Sequence, residues 1–155
     1  MATYYGNQYQ DAFVNIPSNR IRPGDISGEV KVMFFDFTVP AVAPIANDVF
    51  KLAKIPKGAR VLEACLMFPD LGTTGLVSLG YAASADAVEA ADSTAFISSQ
   101  DVFTAADTIL ASQQQANPTG VMKLFSAEVD LELKVNTAWT AVAGTVKGYL
   151  LYRTI

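Results

Sequence analysis

Three carboxylates at two-residue spacing, Glu128, Asp130 and Glu132, are the residues of this sequence best arranged to do chemistry. On a strand they share one face with about 6.5–7 Å between successive Cα atoms, close to the separation that paired carboxylates use in hydrolysis. Any solvated antiparallel face has the same spacing, and no cleft motif accompanies it. Asp86, Glu89 and Asp92 add hard oxygen ligands of the kind Ca²⁺ takes. The sequence contains no histidine, which removes Ser-His-Asp and Cys-His catalysis and the commonest zinc and iron ligand. Cys65 is the single cysteine, so no internal disulfide can form, and its alternation with Val61, Glu63 and Met67 reads as a small thiol packed in a strand. Gly72 and Gly75, in Asp-Leu-Gly-Thr-Thr-Gly, lack the lysine and the helix start of a phosphate loop and read as hairpin glycines. Lys51, Lys54, Lys57 and Arg60 form the one basic cluster, without the aromatic interleaving of a nucleic-acid site. It is either a solvated strand end or a salt-sensitive contact with an acidic partner. The expectation from these groups is no enzyme, no cofactor and no metal site.

The elements that position these groups read as strands. From Lys51 to Tyr81, short apolar runs alternate with Pro-Lys-Gly and Asp-Leu-Gly-Thr-Thr-Gly, the pattern of consecutive strands joined by tight turns. Pro56 and Gly58 end the strand that begins at Asp48, a second runs from Arg60 to Phe68, and a third from Leu76 to Ala82. Val30–Val39 is too continuously apolar to have one wet face, which fits a strand covered on both sides, in the core or at a subunit contact. Residues 84–120 carry no sustained period and read as a long acidic excursion with a short turn of helix or strand around Thr94–Ser98. Phe125–Val135 gives the cleanest alternation, with Ala127, Val129, Leu131, Leu133 and Val135 on one face and Glu128, Asp130, Glu132 and Lys134 on the other. The last strand, Ala141–Tyr152, carries Gly144 and Gly148, which suggests that a backbone or a bulky side chain approaches it closely. Seven or eight strands fit an all-β antiparallel two-sheet sandwich, jelly-roll-like in preference to immunoglobulin-like.

The chain has 155 residues, one domain by size, with 51% hydrophobic and only 17% charged residues. The usual charged share is about 25%, so part of the outer surface is expected to be covered by copies or partners. A net charge of −4 argues against nucleic-acid and anionic-membrane partners. The charge is uneven, with nine acidic residues and one basic residue between 61 and 130. No apolar run approaches a membrane span, and the N-terminus has no signal-peptide core, so synthesis in the cytoplasm without ordinary export is expected. Residues 1–29 have no strand or helix period yet carry Tyr4, Tyr5, Tyr9 and Phe13 with Arg20 and Arg22. They read as an extended N-terminal arm that orders on a surface, a neighbour's in preference to its own, ahead of a sandwich domain at 30–155.

The succession from Lys51 to Ser98 resembles a pattern in small structural proteins of tailed bacteriophages. Ile55, Pro56, Gly58 and Ala59 form the strand-ending turn, Asp70, Gly72 and Gly75 the acidic-glycine turn, Gly80 and Tyr81 the strand end. Asp86, Asp92 and Phe96 mark the Asp/Ala-rich segment, and Ala-Gly-Thr-Val-Lys-Gly-Tyr-Leu-Leu-Tyr-Arg-Thr-Ile is similar to the terminal strand. The resemblance covers residues 48–155 and omits the arm. It implies a virion protein of the capsid decoration (cement) type, bound to the major capsid protein on the outside of the shell and associated with itself, as a trimer in the commonest form. A tail or head–tail connector component is the alternative within that group. A glycan-binding β-sandwich using Trp139 and loop tyrosines as stacking platforms is the alternative outside it.

Overall fold

The computed structural model describes residues 29–39, 43–70, 75–101, 106–114, 118–140 and 144–154. Its eight strands are β1 (Lys31–Thr38), β2 (Val49–Ile55), β3 (Ala59–Phe68), β4 (Leu76–Tyr81), β5 (Asp92–Asp101), β6 (Asp107–Leu110), β7 (Val129–Thr137) and β8 (Thr145–Thr154). They form two four-stranded sheets, ordered β1-β8-β3-β6 and β2-β7-β4-β5, and every pairing is antiparallel. The order follows from doubling the chain back between β4 and β5. That sets β4 against β5, β3 against β6, β2 against β7 and β1 against β8. Wrapping the doubled ribbon once adds the pairs β3–β8 and β4–β7 and closes both sheets. This is the jelly-roll arrangement of an all-β sandwich, the fold class read from the sequence.

Alternation in β7 puts Val129, Leu131, Leu133 and Val135 inside and their neighbours outside, as its sequence predicts. They meet Ile55, Val61, Leu66, Leu79, Phe96, Ile97 and Leu150 in one core between the sheets. Each fully buried aliphatic side chain there stabilises the fold by roughly 1.5–3 kcal/mol. Gly58, at φ 80°, closes the Pro56 turn, and its N–H donates to the Phe125 carbonyl at 2.8 Å.

Four expectations are corrected. The strands β2, β3 and β4, consecutive in sequence, do not pair with one another but cross between sheets, so Gly75 belongs to a crossover and not a hairpin; Gly72 lies outside the described residues. The stretch around Thr94–Ser98 is the centre of β5, a ten-residue strand that buries Ala95, Phe96 and Ile97, and β6 follows it. A single apolar triplet among Ser, Asp and Gln is enough for a strand whose other residues lie at an edge. A bulge between Val61 and Glu63 in β3 flips the parity of the strand, so Cys65 does not share the core face of Val61, although it is packed as expected, at 1% exposure. Finally, Val30–Val39 is not covered on both sides among the described residues. Phe35 and Val39 enter the core, whereas Val30, Val32 and Phe34 are exposed.

Gly148 is the tightest point of the first sheet. A Cβ there would overlap both the Phe35 ring on β1 and the Cys65 carbonyl on β3, the close approach its sequence suggests. Gly148→Ala is expected to destabilise the domain by about 2 kcal/mol through overpacking. Thermal unfolding should show a Tm roughly 5–8 °C lower; an unchanged or raised Tm would show that β1 can slide to admit the methyl group.

Candidate interaction surface

Of the six carboxylates that could have done chemistry, five are hydrogen-bonded or paired within the fold. On the outer face of the second sheet, Lys51 Nζ donates to Asp130 at 2.7 Å and Lys54 Nζ to Glu128 at 2.7 Å. The lysine cluster read as a strand end or a partner contact thus contributes two of its members to pairs between β2 and either β7 (Asp130) or the residue just before it (Glu128). Hydrogen bonding and the nearby Asp130 charge raise the Lys51 ammonium above its usual value, and the same pairing lowers Asp130. Burial raises the Glu132 carboxyl.

Asp86, Glu89 and Asp92 do not converge. Asp86 accepts from Ser84 Oγ at 2.6 Å and the Val88 N–H at 3.2 Å. Asp92 accepts from Thr119 and Thr94. Glu89 is buried and paired with Lys123 at 2.8 Å. Among the described residues no group of three or more acidic or cysteine side chains is arranged around a common point.

The Glu89–Lys123 pair closes one end of the sandwich. Lys123 Nζ also donates to Tyr81 Oη at 2.8 Å and lies 5.0 Å and 5.4 Å from the Tyr81 and Phe125 ring centroids. Those rings meet edge-on at 5.0 Å. Ser126 N–H donates to Glu89 Oε1 at 2.7 Å, and Glu89 N–H to Ser84 Oγ at 2.9 Å. Burial alone would push the Glu89 carboxyl up, but the Lys123 and Ser126 hydrogen bonds outweigh it and hold it below its usual value. Every polar group of this lid has a partner within the chain, which is the arrangement of a structural closure.

Trp139, the glycan-stacking candidate, is 4% exposed. It stacks on Phe50 at 5.8 Å, and Phe50 on Phe37 at 4.8 Å, a column of rings joining the two sheets. An indole spent on the core cannot serve as a sugar platform, which removes Trp139 from the glycan reading; the N-terminal tyrosines lie outside the described residues.

The outer face of the first sheet is different. Register places Phe34, Tyr149, Cys65 and Leu110 in one row across β1, β8, β3 and β6. The next row begins with Val32, Leu151 and Glu63. Phe34 is 77% exposed. Burial pushes the Cys65 thiol up, only partly offset by its hydrogen bond with Tyr149, so it remains a protonated packing group. One outer face therefore carries lysine–carboxylate pairs, and the other an apolar and aromatic row. Sequence reading missed the row because its members come from four strands. The signal available was Val32-Met33-Phe34-Phe35, too apolar for an ordinary edge. Tyr4, Tyr5, Tyr9, Phe13, Arg20 and Arg22 lie outside the described residues.

No protein-family model matches the chain, and no curated protein sequence does. Solved structures do. A chain in the capsid of Ralstonia phage GP4 superimposes with a TM-score of 0.67 at 23% identity, over 88% of this chain and 92% of that one. A chain of the cyanophage Pam1 capsid asymmetric unit gives 0.64 at 21% identity, over 93% and 99%. One from the acid-stable capsid of Helicobacter pylori bacteriophage KHP30 gives 0.50 at 14% identity, over 81% and 90%. At these identities the likeness is one of fold, and it extends over nearly the whole of both chains.

Glu89→Gln is expected to lower stability at neutral pH by about 1–3 kcal/mol, since it leaves the lid with one charge unpaired. Because the Glu89 pKa is depressed on folding, its contribution is present above the ordinary carboxylate value and lost as pH falls through the folded one. The Tm gap between wild type and Glu89→Gln should therefore narrow from pH 7 toward pH 3. A gap independent of pH would show that the ion pair is not its source.

Proposed function

We propose that this chain is a non-enzymatic structural protein of a tailed-phage virion, bound to the outside of the capsid as a decoration protein that braces the shell. The observation that carries the reading is the near full-length likeness of fold to chains in three phage capsids. The motif order from Ile55 to Phe96 and the terminal strand support it independently. A sandwich whose Glu89–Lys123 lid is satisfied internally, with ion pairs across one outer face and an apolar row across the other, suits a part that works by binding. The apolar outer face of the first sheet is the surface offered to the major capsid protein. The charged face of the second sheet is then left to solvent.

The domain at 30–155 is the rigid body, and residues 1–29 are the arm. Tyr4, Tyr5, Tyr9, Phe13, Arg20 and Arg22 are residue types that anchor interfaces. Crossing a seam between neighbouring subunits, such an arm adds buried area where pressure from packaged DNA would separate them. Repetition over the shell multiplies the effect. The protein also associates with copies of itself, with a trimer as the form the resemblance implies.

Purified protein should co-sediment saturably with mature, DNA-filled shells that lack it, at a stoichiometry set by the local symmetry axes. Deleting residues 2–24 should weaken that binding while leaving the far-ultraviolet circular dichroism of the sheet intact. Absence of binding to shells, with binding to isolated tails or connectors, would move the protein to the head–tail junction or the tail.

A further inference from the structure

A two-sheet sandwich has four edge strands, and three of these carry the devices that keep a sheet edge from pairing. The edge β2 has a bulge between Lys51 and Ala53 and outward lysines at Lys51 and Lys54. The edge β5 breaks register with β4 twice, and Ser99 takes a φ of 47°. The edge β6 has four residues. Bulges, lysines and shortness are the usual means of blunting an edge. The fourth edge, β1, is neither bulged nor short among the described residues; its charged residues are Lys31, at the first position and bonded to Thr154, and Asp36. Its eight residues match β8 one for one without a register shift and include no proline, and they carry exposed Val32 and Phe34.

Backbone parity says what such an edge can accept. Val39 N–H donates to the Gly144 carbonyl at 2.8 Å, continuing the β1–β8 register. Odd-numbered residues of β1 are therefore the ones hydrogen-bonded to β8, and the N–H and C=O groups of Val32, Phe34 and Asp36 point to the free edge. The same even-numbered residues carry the outer-face side chains. An antiparallel partner strand of the same sequence must then pair even with even, which keeps the two outer faces on one side. Centring the pairing on Phe34 uses the whole strand. It sets Phe34 opposite itself, Val32 opposite Asp36 and Val30 opposite Thr38, and no like charges meet. Phe34, at 77% exposure, gains an aromatic cross-strand partner.

We propose that β1 is a homotypic pairing edge, joining two copies antiparallel about a two-fold axis through Phe34 so that their first sheets become one continuous sheet. An edge paired with itself closes at two copies. The contact is thus distinct from the three-fold association implied by the resemblance, and it stands on edge chemistry whether or not the protein binds a capsid. It also sends residue 30 of each copy past Thr38 of the other, so each arm leaves beside its partner.

Sedimentation equilibrium of the full chain tests it. Wild type should be dimeric, or a multiple of two, at micromolar concentration. Phe34→Lys, at a solvent-exposed site, should keep the wild-type circular dichroism and weaken self-association by about tenfold or more. Val49→Lys, on the blunted β2 edge, should leave it unchanged. Phe34→Cys should form a reducible cross-linked dimer on mild oxidation, because opposed hydrogen-bonded residues hold their Cα atoms about 5.5 Å apart. A monomeric wild type, a trimer without the Phe34→Cys cross-link, or a dimer unaffected by Phe34→Lys would overturn the proposal. A dimer lost on deleting residues 2–24 yet indifferent to Phe34→Lys would also overturn it and assign the contact to the arm.

Discussion

The first sheet exists only because β8 is hydrogen-bonded on both sides, to β1 and to β3. β7 has the same role in the second sheet, between β2 and β4. Neither sheet can form until the C-terminal strands arrive, so most pairings join residues far apart in sequence, and the loop-closure cost comes before the reward. The reward is concentrated where β8 passes beneath Phe35. Gly148 lets the ring and the Cys65 carbonyl approach the strand together, which locks β1, β8 and β3 in register. Everything on the outer face inherits that register, including the alignment of Phe34 with Tyr149 and Cys65.

From the same closure follows the asymmetry of the two outer faces. Both sheets need an apolar inner face, but what lies outside is free to differ. On β2 and β7 it is filled with Lys51–Asp130 and Lys54–Glu128 pairs, which solvent screens and which add little to stability. Their value is in keeping that face soluble and unpaired. On β1 and β8 the corresponding positions are Val32, Phe34, Tyr149 and Leu151. The Lys123–Glu89 lid over Tyr81 and Phe125 shows how the chain treats a polar group it must bury, by giving it partners from several segments. Phe34 and Val32, left exposed beside such closure, are the part of that row open to a partner.

Strands whose two faces differ in kind were legible from sequence. The alternation of β7 survives residue for residue, and the small residue at 148 correctly announced a close approach. What failed did so for nameable reasons. The bulge at Val61–Glu63 is a backbone event with no residue-type signature, and it moved Cys65 to the outer face. A Ser- and Asp-rich composition hid β5, because an edge strand needs only its few inward residues to be apolar. The crossovers joining β2, β3 and β4 use the same Pro, Gly and Asp residues as hairpins, so turn chemistry alone cannot assign strands to sheets. The apolar row left only the run Val32-Met33-Phe34-Phe35 as its signal, since its other members lie far apart in sequence.

The low share of charged residues now has a location. A charged share of 17% does not mean a uniformly apolar exterior. Charges lie on both outer faces, and what the outer face of the first sheet adds is one apolar row, Phe34, Tyr149, Cys65 and Leu110, between Asp36 and Lys147 on one side and Glu63 on the other. That face continues directly into the one edge with no bulge, no lysine on its outward row and no shortening. Face and edge share the residues Val32 and Phe34, so covering the one and pairing the other are not independent events. A strand added at β1 would widen that face, bringing a second Val32 and Phe34 and one Asp36 onto it, and a broader face offers a partner more area to bury. If β1 pairs with a second copy and the adjoining face meets a capsid, as proposed, the two contacts would be coupled through a single eight-residue strand.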